Sequence, residues 1–403
     1  MLLIGIDQSP KEHSVCIMDV KGSQLAQFPI PNSAAGFTEL HTTCQELGIP
    51  AHDCLVAIVS DHSLLVDYPH DHGYFVYIIP GKAVDRYRDR HRQSRSCSDA
   101  GDAQVLAHVL RTDRELYEPW ASDTPLTRQI RSQVKVVQNL TRNVVRFGNQ
   151  LRDLLWRYYP IAADLFYDLE RYIALTFILA YPTPQAAKAL TQADFTHFCR
   201  THNYRRTDLI ARRYAQLSSA QTYASPEVAA AYAPQAQTLA RVLRFLVSER
   251  DAAQRVLTQV FEQHPDAHIY ASLPGAGRLL APALLAKFRD HRARFPTPAV
   301  AQAVAGTCPV TISSGKRKKR IQFRRACDRE FRHIITQFAR CSVNEAPWAA
   351  AYFHTVLPRC DKTTQAYRRL ANRWCAIIWR LWTDRVEYDE AVHLRNRLTK
   401  RRP

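Results

Sequence analysis

Three short stretches of this 403-residue chain carry side chains whose types and spacing can do chemistry on a phosphate. In IGIDQS, Asp7 stands where an apolar run ends, and in SDAGDAQVLA, Asp99 and Asp102 fall three residues apart. That spacing puts both carboxylates on one face where a helix begins. Hard oxygen donors that converge with a strand-end aspartate are what a Mg2+ or Mn2+ ion needs to grip phosphate oxygens. A plainer role competes, in which Asp99 only caps that helix.

The second stretch is LPGAGRLLAPALLA at 273–286, where Gly275 and Gly277 permit a tight turn between helices with Arg278 beside it. Such a turn lets backbone N–H groups approach a phosphate, although an ordinary helix-helix connection can be spelled the same way. The third is TCPVTISSGKRKKRI at 307–321: Ser313 and Ser314, then Gly315, then Lys316, Arg317, Lys318, Lys319 and Arg320, with Arg324 and Arg325 expected one turn on. A serine hydroxyl is a poor nucleophile at neutral pH unless a base, a metal or a dense positive field helps it. This run would supply the field; read alone, it is equally a solvated loop that grips backbone phosphates.

The elements that must position these residues change character along the chain. Runs at 2–6, 14–20 and 24–30 read as three successive strands, followed by a helix at 34–47, a strand at 55–59, a short helix at 64–70, a strand at 74–79 and a helix at 100–111. A three-strand meander followed by alternating helices and strands is the order of a ribonuclease-H-like α/β domain. From 116 to 263 helical periodicity takes over. Ile130, Val137, Val144, Leu151 and Tyr158 recur every seven residues, with Leu140, Phe147 and Leu154 between them, the spacing of a coiled-coil seam. A second helix at 234–263 repeats it with Leu239, Leu246, Ala253 and Val260. These two helices can close on each other within one chain or form a dimerising arm. Further helices are expected at 273–295, 300–305, 323–341 and 364–382. The predicted division is 1–113, 114–265, 266–390 and a basic tail at 391–403, α/β first and mostly α afterwards.

Composition narrows the partners. Lys plus Arg number 55 against 37 Asp plus Glu, a formal charge of +18, so a polyanion is the leading partner class. There is no run of ~18 apolar residues to span a membrane, and the first residues lack the charged start and long apolar core of a signal peptide. Ten cysteines include no C-x-x-C pair, which argues against a zinc ribbon or a disulfide framework. A cytoplasmic, nucleoid-associated protein is the expectation.

In this order, IGIDQS, VYIIPGKAVDRYRDR, SDAGDAQVLAHVLRTD, LPGAGRLLAPALLA, AGTCPVTISSGKRKK, FRRACDREFRH and AYRRLANRWCAIIWRLW resemble the IS one-ten family of bacterial insertion-sequence transposases. These are bridge-RNA-guided DEDD recombinases, and the family includes the Piv-type DNA invertases. The resemblance covers nearly the whole chain. It implies a RuvC-like N-terminal domain and a helical C-terminal transposase domain with a helix-hairpin-helix-like element. The implied activity is metal-dependent cleavage and exchange of double-stranded DNA, in which a serine attacks the DNA and stays linked to its phosphate. A structured bridge RNA would pair with donor and target. By position, Asp7, Asp99 and Asp102 become the metal carboxylates, and Ser314, the serine directly before the glycine, becomes the nucleophile. The implied assembly is a homodimer that pairs into a tetramer, the serine of one protomer completing the carboxylate site of another.

The family pattern has a glutamate at the end of the 55–59 strand, and here VAIVSDHSLLVDY has Val59. Valine cannot ligate a metal. Asp61, two residues on, faces the same side if the strand continues. Two other functions therefore stand beside the recombinase. One is a nucleic-acid-binding descendant impaired at its metal site; the other is a Holliday-junction-type nuclease that uses metal-activated water and no serine.

Overall fold

Period-two alternation sets the layers of the N-terminal part. In β1 (Leu2–Asp7), Leu2, Ile4 and Ile6 face one hydrophobic layer while Leu3 faces the other. The computed structural model describes residues 1–59, 64–91, 98–221, 224–312 and 320–392, and the chain divides into two units, Met1–Ser122 and Asp123–Pro403.

In the first unit β2 (Glu12–Met18) and β3 (Gln24–Pro31) complete an antiparallel meander, and α1 (Ala34–Glu46) follows. Then come β4 (Cys54–Ile58), α2 (Leu64–Asp71), β5 (Phe75–Ile78), α3 (Gly81–His91) and α4 (Asp99–Asp113). The sheet order is β3-β2-β1-β4-β5, with β4 parallel to both β1 and β5. Phe37, Leu40 and Leu65 cover one face, and Val84, Val105, Leu106 and Leu110 cover the other. The α/β reading holds in this unit. Helix α3 was not foreseeable from periodicity, because its sequence GKAVDRYRDRH buries only Val84 among the residues whose side chains are described.

The second unit is built on two long helices. α5 (Pro125–Tyr158) is followed by the shorter α6 (Pro160–Asp164), α7 (Tyr172–Ala180), α8 (Pro184–Lys188), α9 (Gln192–Thr201) and α10 (Thr207–Ser219), and then by α11 (Pro226–Glu262). α5 and α11 run antiparallel against each other within the chain. Ile130, Val134 and Val137 share one core with Leu257, Val260 and Phe261, while Val144 to Tyr158 share another with Ala229, Ala236, Ala240 and Leu243.

The seam is heptad-like, but its second row differs from the expected one. On α5 the buried residues are Thr127, Ile130, Val134, Val137, Val144, Gly148, Leu151, Leu154, Leu155 and Tyr158; of the expected second row Leu154 is buried, whereas Leu140 and Phe147 stay partly exposed. On α11 Val260 is buried as expected, whereas Leu239, Leu246 and Ala253 are only partly so, and Ala229, Ala233, Ala236, Ala240, Leu243, Leu257 and Phe261 are buried instead. At Gly148 the two helices leave room for a side-chain carbon, since a Cβ there would meet Leu243 Cδ2 at 4.0 Å, ordinary contact.

The rest of the unit comprises α12 (Ala267–Ala271), α13 (Gly277–Phe288), α14 (Pro298–Val304), β6 (Val310–Ile312), β7 (Arg320–Gln322), α15 (Arg329–Glu345), α16 (Pro347–Val356) and α17 (Thr363–Asp384). They close around Phe288, Phe331, Phe338, Trp374 and Trp382, all fully buried. The helix expected at 273–295 is shorter at both ends: 272–276 form a turn, and Arg289 stops α13 by taking φ +64°. The helix expected at 323–341 begins only at Arg329, where Asp328 caps it by accepting from the Phe331 N–H at 2.9 Å. Strands β6 and β7 were unforeseen because three-residue strands carry no legible period. No described helix is long and apolar enough to cross a membrane.

One polar knot ties the start of α5 to the end of α13. Asp290 accepts hydrogen bonds from Thr124 N–H and Thr127 Oγ1, both at 2.7 Å, and lies 3.1 Å from His264 Nε2. Burial alone would push the Asp290 carboxyl up, but the bonds from His264, Thr127 and Thr124 outweigh it and hold the group well below the usual carboxylate range. Because the folded value is depressed, this stabilisation is present above the ordinary carboxylate pKa and is lost as the pH falls through the folded value. Asp290→Ala is expected to lower stability by about 2–3 kcal/mol at pH 7 and by much less near pH 2. Thermal unfolding followed by circular dichroism at the two pH values checks this.

Candidate active site

The carboxylate cluster is placed by a glycine. β1 lies at the centre of the sheet and carries Asp7 at its end, in register with Ser14 of β2. Helix α4 presses directly onto β1 at Gly5, where a Cβ would lie 1.9 Å from the Ala103 carbonyl oxygen and 2.6 Å from the Ala107 nitrogen. Only glycine admits so close an approach. The first turn of α4, with Asp99 and Asp102, is thereby brought into the electrostatic neighbourhood of Asp7. Its cap is Ser98, whose hydroxyl accepts from the Gly101 N–H at 3.2 Å, so the reading of Asp99 as merely a cap fails.

The three carboxylates share a field. Burial first, then the charges of Asp102 and Asp99, push the Asp7 carboxyl up to about 6, against the pull of the Gln8 N–H and of Arg88. Arg88, on α3, holds both oxygens of Asp102, with Nε 2.8 Å from Oδ1 and Nη2 2.6 Å from Oδ2. Among the described residues no three His, Cys, Asp or Glu side chains close around a single ion. Carboxylate oxygens are nonetheless the donor type that a hard divalent cation takes. Three acidic oxygen ligands repel one another, and a cation relieves that repulsion. To ligate an ion, Asp102 would have to give up its paired bonds from Arg88.

Val59 stands just beyond β4, part-buried against the layer that α4 covers. The parallel register pairs Gly5 with Ala57; continued by two residues it sets Val59 beside Asp7 on the same side of the sheet. β4 ends at Ile58, and Asp61 lies outside the described residues. Val59→Glu is expected to tighten Mn2+ binding by about tenfold through one added hard ligand, measured by isothermal titration. No tightening would place the missing ligand elsewhere.

In the second unit the glycine turn joins α12 to α13 with Gly275 at φ +80° and Gly277 at φ +54°. What Gly275 admits is the backbone of α15, since a Cβ would sit 2.9 Å from the Cys341 carbonyl carbon. Gly277 and Arg278 are exposed at the start of α13, and no side chain caps that helix. Its first N–H groups are thus open to a phosphate.

The serine motif is carried by the β6–β7 hairpin, with Ile312 paired to Arg320. Ser313, Ser314, Gly315, Lys316, Arg317, Lys318 and Lys319 lie outside the described residues, as does the side chain of Arg320. The hairpin's base is fastened: the Thr307 hydroxyl donates to Asn372 Oδ1 at 2.9 Å, and Gln302 donates to the Asn372 carbonyl at 2.7 Å. Arg324 and Arg325 follow β7 in an irregular segment rather than on a helical turn. Arg325 is exposed, while Arg324 is half-buried.

Sequence reasoning missed three groups. Arg88 gave no signal because an arginine is not a metal ligand. Phe323, 44 % exposed, lies between the guanidinium groups of Arg332 and Arg368, whose Cζ atoms stand 4.6 and 4.3 Å from its ring centroid. Asn372 joins the site only through the fold. No local pattern links residues that meet across forty to seventy positions.

Comparison with known proteins gives two family matches. Residues 4–160 match a family described as "Transposase", and residues 267–354 match one described as "Transposase IS116/IS110/IS902 family". The "Mini-circle putative transposase for IS117" of Streptomyces coelicolor is 31% identical over 400 residues, covering 96% of this chain and 95% of that protein. The "Insertion element IS110 uncharacterized 43.6 kDa protein" of the same organism is 24% identical over 395 residues, covering 97% of this chain and 96% of that protein.

Proposed function

Since the chain belongs to the IS116/IS110/IS902 family of transposases, we propose that it is a metal-dependent DNA recombinase that cleaves and exchanges strands through Ser314. The observation that carries this is the gathering of Asp7, Asp99 and Asp102 at the Gly5 contact between β1 and α4. Asp7, Asp99 and Asp102 would hold Mg2+ or Mn2+, which when bound neutralises charge on the scissile phosphate. The remaining parts are protein groups. Ser314 Oγ attacks phosphorus, one P–O bond to deoxyribose breaks, and the departing oxygen leaves as an alcohol after taking a proton. Lys316, Arg317, Lys318, Lys319 and Arg320 offset the charge that develops, and Arg324 and Arg325 grip the flanking backbone. Gly275, Gly277 and Arg278 hold a further phosphate.

The sheet order, with its antiparallel meander and parallel β4 and β5, supports a RuvC-like reading of the first unit. By function we divide the chain as 1–113, 114–265, 266–390 and 391–403, with a structured bridge RNA guiding donor and target duplexes and a homodimer assembling to a tetramer. The test is a denaturation-resistant adduct between the protein and DNA carrying the element's end. It is expected to form with Mg2+ and to vanish with a chelator. Cleavage without an adduct would replace this mechanism by hydrolysis of the Holliday-junction type. Val59 favours one second reading, a chain that binds nucleic acid but cuts poorly; binding with no cleavage at any metal concentration would establish it.

A further inference from the structure

The two matched segments stop at residue 160 and resume at 267, and the helices between them form a basic depression outside both. It has a volume of about 430 Å³ and is lined by Tyr167, Arg171, Tyr204, Arg205, Arg206 and Arg213, among others, within the range of small-ligand sites. Two backbone reversals shape it. α9 ends in a Schellman-type turn, with Asn203 at φ +61° and the Tyr204 N–H donating to the Cys199 carbonyl at 2.8 Å. Tyr204 is thereby turned inward, its ring edge-on to the buried Phe166 at 5.7 Å. Tyr167 takes φ +69°, the left-handed region that a bulky side chain rarely enters, and its ring is 83 % exposed.

The charge around that ring is under-compensated. Arg206 pairs with Asp208 at 2.8 Å. By contrast Arg205 donates to the neutral amide of Asn203 at 3.2 Å and Arg213 to that of Gln216 at 3.0 Å, and Arg213 Nε is buried without a partner among the described residues. Arg205 and Arg213, the latter with an unanswered donor, thus line the same depression as Arg171 and the exposed Tyr167 ring. Guanidinium forks suit phosphate oxygens, and an exposed tyrosine ring suits the face of a base.

We propose that this depression binds single-stranded nucleic acid, with a phosphate against Arg171, Arg205 and Arg213 and an unpaired base stacked on Tyr167. A duplex keeps its base faces covered and cannot use that ring. An acidic peptide would use the arginines and leave Tyr167 idle. The site is separate from the serine and carboxylate chemistry and stands whether or not the chain cleaves DNA.

The test is fluorescence anisotropy on the full chain, with labelled oligouridylate, oligothymidylate and a DNA duplex of equal length. Tyr167→Ala is expected to weaken single-strand binding about tenfold, while Tyr167→Phe, which keeps the ring, changes it less than about twofold. Arg171→Ala combined with Arg205→Ala is expected to weaken it about tenfold and to reduce the salt slope by about 0.7, one phosphate contact's worth. Both arginines are exposed, and unchanged far-ultraviolet circular dichroism confirms that the fold survives. Duplex binding should barely move. A larger loss on uridylate identifies RNA as the strand, and a larger loss on thymidylate identifies DNA; either supports the proposal. Equal losses on duplex and single strand, no loss with Tyr167→Ala, or displacement of the strand by polyglutamate with Tyr167→Ala silent would overturn it.

Discussion

Ser314→Ala is expected to reduce the covalent protein–DNA adduct by at least about 10⁴-fold, because loss of a nucleophile leaves only binding and charge stabilisation behind. DNA affinity should change less than about twofold, since a single hydroxyl adds little beside the phosphate contacts of the basic run. Ser313→Ala is the internal control and should keep the adduct. The two serines follow β6, whose approach is fastened through Thr307 and Asn372. If the adduct survives Ser314→Ala and disappears with Ser313→Ala, the nucleophile moves by one residue. Mixing Ser314→Ala protein with Asp7→Ala protein tests the assembly: restored adduct means that serine and carboxylates come from different protomers, and no complementation means that each chain builds its own site.

Gly5→Ala should act on fold and chemistry together. Its Cβ would meet the Ala103 carbonyl at 1.9 Å, so α4 must retreat by about 1.5 Å or more to reach ordinary contact. Overpacking against backbone, which cannot rotate away, is expected to cost about 3 kcal/mol. The retreat also carries Asp99 and Asp102 away from Asp7, and a displacement of that size is expected to slow cleavage by about 100-fold. Thermal unfolding and the rate of strand cleavage check the two effects. Gly81→Ala is the comparison, because a Cβ there meets only Val59 Cγ1 at 3.6 Å. If the two variants behave alike, the close contact is not what sets the site.

What could be read from the sequence follows from how local each cause is. The placement of Asp7 at a strand end and of Asp99 and Asp102 at a helix start was legible because both are short-range events. The strand order of the first unit was legible because alternation and turn residues punctuate it. The α5–α11 pairing was half legible: the sevenfold period is local and placed Leu154 and Val260 inward, but which other residues face inward depends on the partner helix, and Leu140, Phe147, Leu239 and Leu246 stay partly exposed. Arg88 on Asp102, Asn372 on Thr307 and the arginines around Tyr167 could not be read at all. Each pairing is made by tertiary contact or by a backbone reversal that no period announces.

The long helix pair belongs to two cores at once, Ile130 to Val137 in one and Val144 to Tyr158 in the other. With 34 residues, α5 measures about 50 Å, so the pair is a strut whose ends are each bolted into a separate block. The block around Phe166 and Tyr204 holds the basic depression, and the block around Trp374 holds the serine hairpin. α5 runs from one block to the other without an internal proline, whereas α11 carries Pro234 within it. On the readings proposed above, a polynucleotide held at the depression would be spaced from the β6–β7 hairpin by the length of α5.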